Sequence, residues 1–139
     1  MSKTRNGGQW TESRYRSFII SALRKATSRW GPKCEALRKA RIERGVYVCA
    51  SCGNRMGATT WTKYKSGAKK GQPKKVKDAI VDHITPVVDP HVGFTTWDEY
   101  IERMFCEIDN FQVICHACHE EKCAEERRIR TERERKEKK

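Results

Sequence analysis

The 139-residue chain has no run of about 18 apolar residues, which excludes a membrane-crossing helix from its expected make-up. Its opening stretch, Met1-Ser2-Lys3-Thr4-Arg5-Asn6-Gly7-Gly8, has no apolar segment of the kind that directs secretion, so a cytoplasmic protein is expected. Apolar residues are scarce, at 37%, while charged residues reach 35%. That balance excludes a large self-sufficient core and favours an internal metal staple. Disulfides are not expected either. The seven cysteines are an odd number, and a cytoplasmic chain sits in a reducing compartment.

Acidic residues are nearly missing from the first half. Residues 1–77 hold twenty Lys/Arg against three Asp/Glu, and residues 59–77 contain no acid. Residues 78–119 reverse this, with eight acids against Arg103 alone, and the remaining tail has nine bases against seven acids. The net charge is +12, but its segregation says more than its size. A polyanion on the basic part, with a divalent cation drawn to the acidic part, is the economical reading; a merely soluble surface is the plainer one.

The pattern predicts a flexible basic arm over residues 1–10 and a helical hairpin over 11–45. In the first helix Tyr15, Phe18, Ile19, Ala22, Leu23, Ala26 and Trp30 recur at helical spacing. Thr11 suits its N-cap, with Trp10 and Tyr15 placed as a hydrophobic staple. Gly31-Pro32 separates it from a second helix running to about Arg44, with Gly45 as its stop. Val46-Tyr47-Val48 reads as a strand, residues 59–77 as a flexible basic loop, and Ala79-Ile80-Val81 as a strand delivering Asp82 and His83 at its end. Thr96 caps a short helix with Trp97, Tyr100, Ile101, Met104 and Phe105 on one face. Residues 108–114 alternate as a second strand, and a helix from about Ala117 passes into a charged tail, 124–139, that is either solvated helix or disordered.

Two constellations carry chemistry. Cys49-Ala50-Ser51-Cys52 and Cys115-His116-Ala117-Cys118 are two Cys-x-x-Cys pairs with 62 residues between them. Four sulfurs in two such pairs suit a closed structural zinc site, which would supply folding energy that the small core cannot. Cys34, Cys106 and Cys123 have no such partner and read as buried or helix-face thiols. The second constellation sets Asp82-His83 against Asn110, 27 residues beyond His83, and His119. One carboxylate, two imidazoles and an amide suit an oxygen-loving cation together with a general base. Lys63, Lys65, Lys69, Lys70, Lys74, Lys75 and Lys77 lie in the acid-free stretch, where phosphate contact is the favoured reading over idle surface.

Asp-His-Ile-x-Pro followed by Asn-x-Gln-x-x-Cys-x-x-Cys-His-x-x-Lys resembles the HNH endonuclease family. The resemblance covers about residues 46–123. It implies an α+β chain with a ββα-metal (His-Me finger) core, held together by zinc (Zn²⁺) on Cys49, Cys52, Cys115 and Cys118. His83 would be the general base, and an imidazole exchanges protons near neutral pH. Asp82 and His119 would hold catalytic Mg²⁺ or Mn²⁺. Asn110 would either complete that shell or position the His83 strand. Lys122 matches the family's lysine and joins the DNA-binding set. The implied partner is double-stranded DNA, with a homodimer or a phage or host DNA-processing protein as further candidates. The N-terminal hairpin is similar to that of small HNH proteins of tailed phages, which leaves homing, DNA degradation and packaging open. Asp82 and His83 are neighbours, so on a regular strand their side chains point to opposite faces. The competing expectations are a non-catalytic zinc-containing DNA-binding module and an accessory subunit of a larger DNA-processing complex.

Overall fold

A computed structural model describes residues 3–138; Met1 and Ser2 of the expected N-terminal arm, and Lys139, lie outside it. The described residues form a mixed α+β structure of four α-helices and several small sheets. None of the helices is long and apolar enough to cross a membrane.

The arm expected to be flexible instead forms a small hairpin. Strand β1 (Lys3–Arg5) pairs antiparallel with β2 (Trp10–Thr11) around a turn in which Asn6 takes a φ of 52°. Helix α1 (Glu12–Thr27) follows, and Thr11 caps it by accepting the Arg14 N–H at 3.2 Å. The staple is made differently from expectation: Trp10 meets the Phe18 ring at 5.2 Å, while Tyr15 lies under the Arg5 guanidinium. An extended Trp10 side chain reaches two helical turns along, and the cation–π contact takes Tyr15.

Helix α2 (Gly31–Ala40) ends four residues before Arg44. Arg41–Glu43 turns into strand β3, which pairs with β4 (Val46–Val48), and β4 pairs with β5 (Arg55–Met56). Gly45, at φ 75°, makes the β3–β4 hairpin turn rather than a helix stop, because only glycine adopts that angle cheaply. Residues 59–77 are not a flexible loop. They form strands β6 (Thr59–Lys63) and β7 (Pro73–Lys77), paired over five positions from Thr59↔Lys77 to Lys63↔Pro73. Alternating Thr and Trp in β6 supply the β-propensity that the lysines mask.

The central unit is strand β8 (Ile80–His83) antiparallel to β9 (Phe111–Ile114), followed directly by helix α4 (His116–Glu137). Residues 108–110, expected to begin β9, form one 3₁₀ turn, which re-aims the chain just before the strand. Helix α3 (Trp97–Met104) lies between the two strands in sequence, capped by the Thr96 hydroxyl, which accepts the Glu99 N–H. The charged tail is helix as far as Glu137, continuous with α4, and Arg133 donates to the Pro90 carbonyl at 3.1 Å.

The core is small. Cys49, Met56, Val113 and Ile114 form its buried centre, with Leu37, Ala40, Tyr47, Ala79, Val81, Cys115 and Cys118 packed around it. Three of those eleven side chains are thiols of the two Cys-x-x-Cys pairs, so the core and the sulfur cluster are one structure. The N-terminal hairpin is tied on by Trp30, whose indole N–H donates to the Cys106 carbonyl at 2.7 Å while its ring meets Phe105 edge-on.

Candidate functional site

The first Cys-x-x-Cys follows β4, and the second opens α4 after β9. Backbone pairing brings them together: the Ala50 N–H donates to the Val113 carbonyl at 2.8 Å. The sulfur atoms of Cys49, Cys52, Cys115 and Cys118 all lie within 4.8 Å of one another, and those of Cys52 and Cys115 are 3.9 Å apart. A tetrahedral zinc with bonds of about 2.3 Å needs sulfur–sulfur spacings of about 3.8 Å. The cluster has that size, and the four cysteines could bind a zinc ion. Cys49 is the inner ligand, only 1% exposed. Burial pushes its thiol up, but N–H groups of Cys52, Cys115 and Ser51 aimed at the sulfur outweigh this and bring it down to about 6. Contact with the Cys49 sulfur in turn favours the protonated form of Cys52 and of Cys118. Although a bond from Ser51 favours its thiolate, Cys118 is pushed up to about 12 by the other thiols and by burial. A cluster of thiols that binds a cation gives up protons to it.

The second constellation is only partly gathered. Asp82 and His119 meet: Asp82 Oδ1 lies 3.8 Å from His119 Nε2. Two ligands of one octahedral cation at about 2.1 Å sit about 3 to 4 Å apart, so this carboxylate–imidazole pair fits a small divalent ion. Asp82 is held firmly. Gln112, its partner across the β8–β9 pair, donates to Oδ2 at 3.1 Å, and the Lys122 ammonium lies 2.5 Å from the same oxygen. Lys122 also donates to the carbonyls of His83 and Ile84. Its charge is therefore spent on the end of β8, not offered outward to phosphate as expected. Cys123 sits one turn along α4 from His119, with its sulfur 3.7 Å from Nε2.

His83 points the other way, as strand alternation requires. Its ring packs on Phe111 at 4.9 Å, and Nε2 lies 2.8 Å from the Met104 carbonyl oxygen. A carbonyl only accepts, so Nε2 carries a proton, and in the neutral ring Nδ1 is the lone-pair nitrogen. Asn110 does not reach the Asp82–His119 pair. Its Oδ1 accepts the Thr85 N–H at 2.9 Å, its Nδ2 donates to the Thr85 carbonyl at 3.3 Å, and its own carbonyl accepts the Ile84 N–H. Of the two roles open to it, these contacts make it a clamp on the chain leaving His83.

The seven lysines of residues 63–77 lie on or beside the β6–β7 ribbon. Lys69 and Lys74 hold their ammoniums over the Tyr64 ring, at 5.7 and 5.4 Å, and Lys65 pairs with Glu120 of α4 at 3.3 Å. Two residues missed by the sequence reading also shape the site. Met104 contributes only a carbonyl, which has no sequence signature. Asp78 accepts the His116 N–H at 3.0 Å and so caps α4 at the sulfur cluster; its position just before β8 was its only signal.

Fold and site together define a class: a small basic α+β chain with a four-cysteine cluster that could hold zinc, beside a strand–strand–helix unit. No family model matches the chain, and no curated protein or solved structure matches it.

Proposed function

We propose that this chain is a divalent-cation-dependent DNA endonuclease of the HNH type, with β8, β9 and α4 as its ββα-metal core and zinc on the four cysteines as its structural ion. The observation that carries this reading is the approach of Asp82 to His119 at the junction of β8 and α4, 3.8 Å apart. A composition-driven DNA-binding module would have no need of that juxtaposition.

In this reading Asp82 and His119 hold Mg²⁺ or Mn²⁺. When bound there, such a cation would supply Lewis-acid charge to a phosphodiester. Gln112 and Lys122 orient the Asp82 carboxylate, leaving Oδ1 toward His119. His83 accepts the proton of the attacking water on Nδ1, because the Met104 carbonyl fixes the tautomer with hydrogen on Nε2. Asn110 holds Ile84 and Thr85, and through them the end of the His83 strand. The products are 5′-phosphate and 3′-hydroxyl ends. Double-stranded DNA is the substrate, and the net charge of +12 favours its capture.

The test compares plasmid cutting with Mg²⁺ by the wild type and by His83→Ala and Asp82→Ala. Wild-type cutting, a loss of about 10²- to 10⁴-fold in His83→Ala, and preserved DNA binding in both variants are expected. DNA binding without Mg²⁺-dependent cutting by the wild type would leave a non-catalytic module in its place.

A further inference from the structure

The β6–β7 ribbon is a basic element that carries an open aromatic, Trp61. Side chains alternate across it. Thr60, Thr62, Lys74 and Val76 share one face, and Thr59, Trp61, Lys63, Pro73, Lys75 and Lys77 share the other. Trp61 is directly opposite Lys75 and is 67% exposed, the most exposed large apolar side chain among the described residues. A bare indole set among ammonium groups is costly to leave in water and suits a partner that is both anionic and flat-edged. Tyr64, by contrast, is already covered by Lys69 and Lys74.

From this face we infer that the β6–β7 ribbon enters the major groove of duplex DNA, with Trp61 against base edges and Lys63, Lys75 and Lys77 on the flanking phosphates. The inference rests on the DNA substrate proposed above. The major groove, about 12 Å wide, admits a two-stranded ribbon. Charge complementarity is one-sided, because residues 59–77 include no acid. Just past β6, Lys65 pairs with Glu120 of α4 at 3.3 Å, both side chains largely exposed.

The experiment uses zinc-loaded full-length protein and a 20-base-pair duplex without added Mg²⁺. Trp61→Ala should weaken binding about tenfold, and Trp61→Phe should restore much of it. Lys63, Lys75 and Lys77 changed together to Gln should lower the log–log salt slope by about 2 to 3. Guanine N7, which faces the major groove, should be protected from methylation by the wild type and not by Trp61→Ala. Folding of each variant is checked by its melting curve. Unchanged affinity in Trp61→Ala, protection confined to the minor groove, or equal affinity for duplex RNA with its narrow, deep major groove would each overturn the inference. If the wild type does not cut but Trp61→Ala loses binding, the cleavage reading fails and the groove reading stands. If the wild type cuts and Trp61→Ala binds normally, the reverse holds.

Discussion

Replacing Cys115 by serine isolates the contribution of the sulfur cluster. Serine has nearly the volume of cysteine and keeps the backbone N–H that Cys115 donates to the Cys49 sulfur at 3.3 Å. Cys115 is also the N-cap of α4, a position where serine is the better residue. The substitution therefore harms neither the helix nor the packing, and any large loss belongs to the metal. The core has little else to draw on: among the described residues, only Ile114 and Cys49 have side chains less than 2% exposed. A four-thiolate zinc site contributes about 10 kcal/mol or more, against a net stability of about 5–15 kcal/mol for a domain. Cys115→Ser should lose its zinc, measured by atomic emission as one ion per wild-type chain, and its cooperative melting by circular dichroism. At about 2–5 °C per kcal/mol, no folded baseline should remain at 25 °C. A zinc-free variant that melts cooperatively within a few degrees of the wild type would refute the reasoning.

Further outcomes follow from particular contacts. Zinc affinity should rise with pH between about 6 and 8, since each bound thiol must first give up its proton; a competition titration flat in pH would argue against thiolate ligation. Asn110→Ala removes both bonds to Thr85, so it should cost about 1–2 kcal/mol and slow cleavage while sparing binding, as read from melting and plasmid assays. Gly93 has φ 91°, and a Cβ there would lie 2.8 Å from Arg133 Nη1. Gly93→Ala should cost about 1–3 kcal/mol, and melting curves would show it.

Local chemistry was the legible part of the sequence. The Cys-x-x-Cys spacing anticipated the sulfur cluster because two residues between thiols fix a turn whatever the rest of the fold does. Thr11 and Thr96 were readable as caps for the same reason. Pairings between distant segments were harder. The Asn6-Gly7 dipeptide is a hairpin signal that the surrounding polarity hid, and Thr59 to Thr62 were submerged among lysines. The run from Arg38 to Arg44 reads as helix by residue type, yet Arg41 and Glu43 pair across the Gly45 turn with Tyr47 and Val46. His83 was placed by motif, but its tautomer depends on a carbonyl 21 residues away that no side chain announces.

Helix α4 joins three sites along a single rod. Cys118 lies in its first turn, His119 and Lys122 follow, and Arg133 grips the Pro90 turn 14 residues beyond His119, about 21 Å along the axis. Each added or deleted residue between them would rotate everything downstream by about 100°. Length variation inside that rod is therefore forbidden in a way that substitution is not: its surface residues can drift freely, while its phase must be inherited intact.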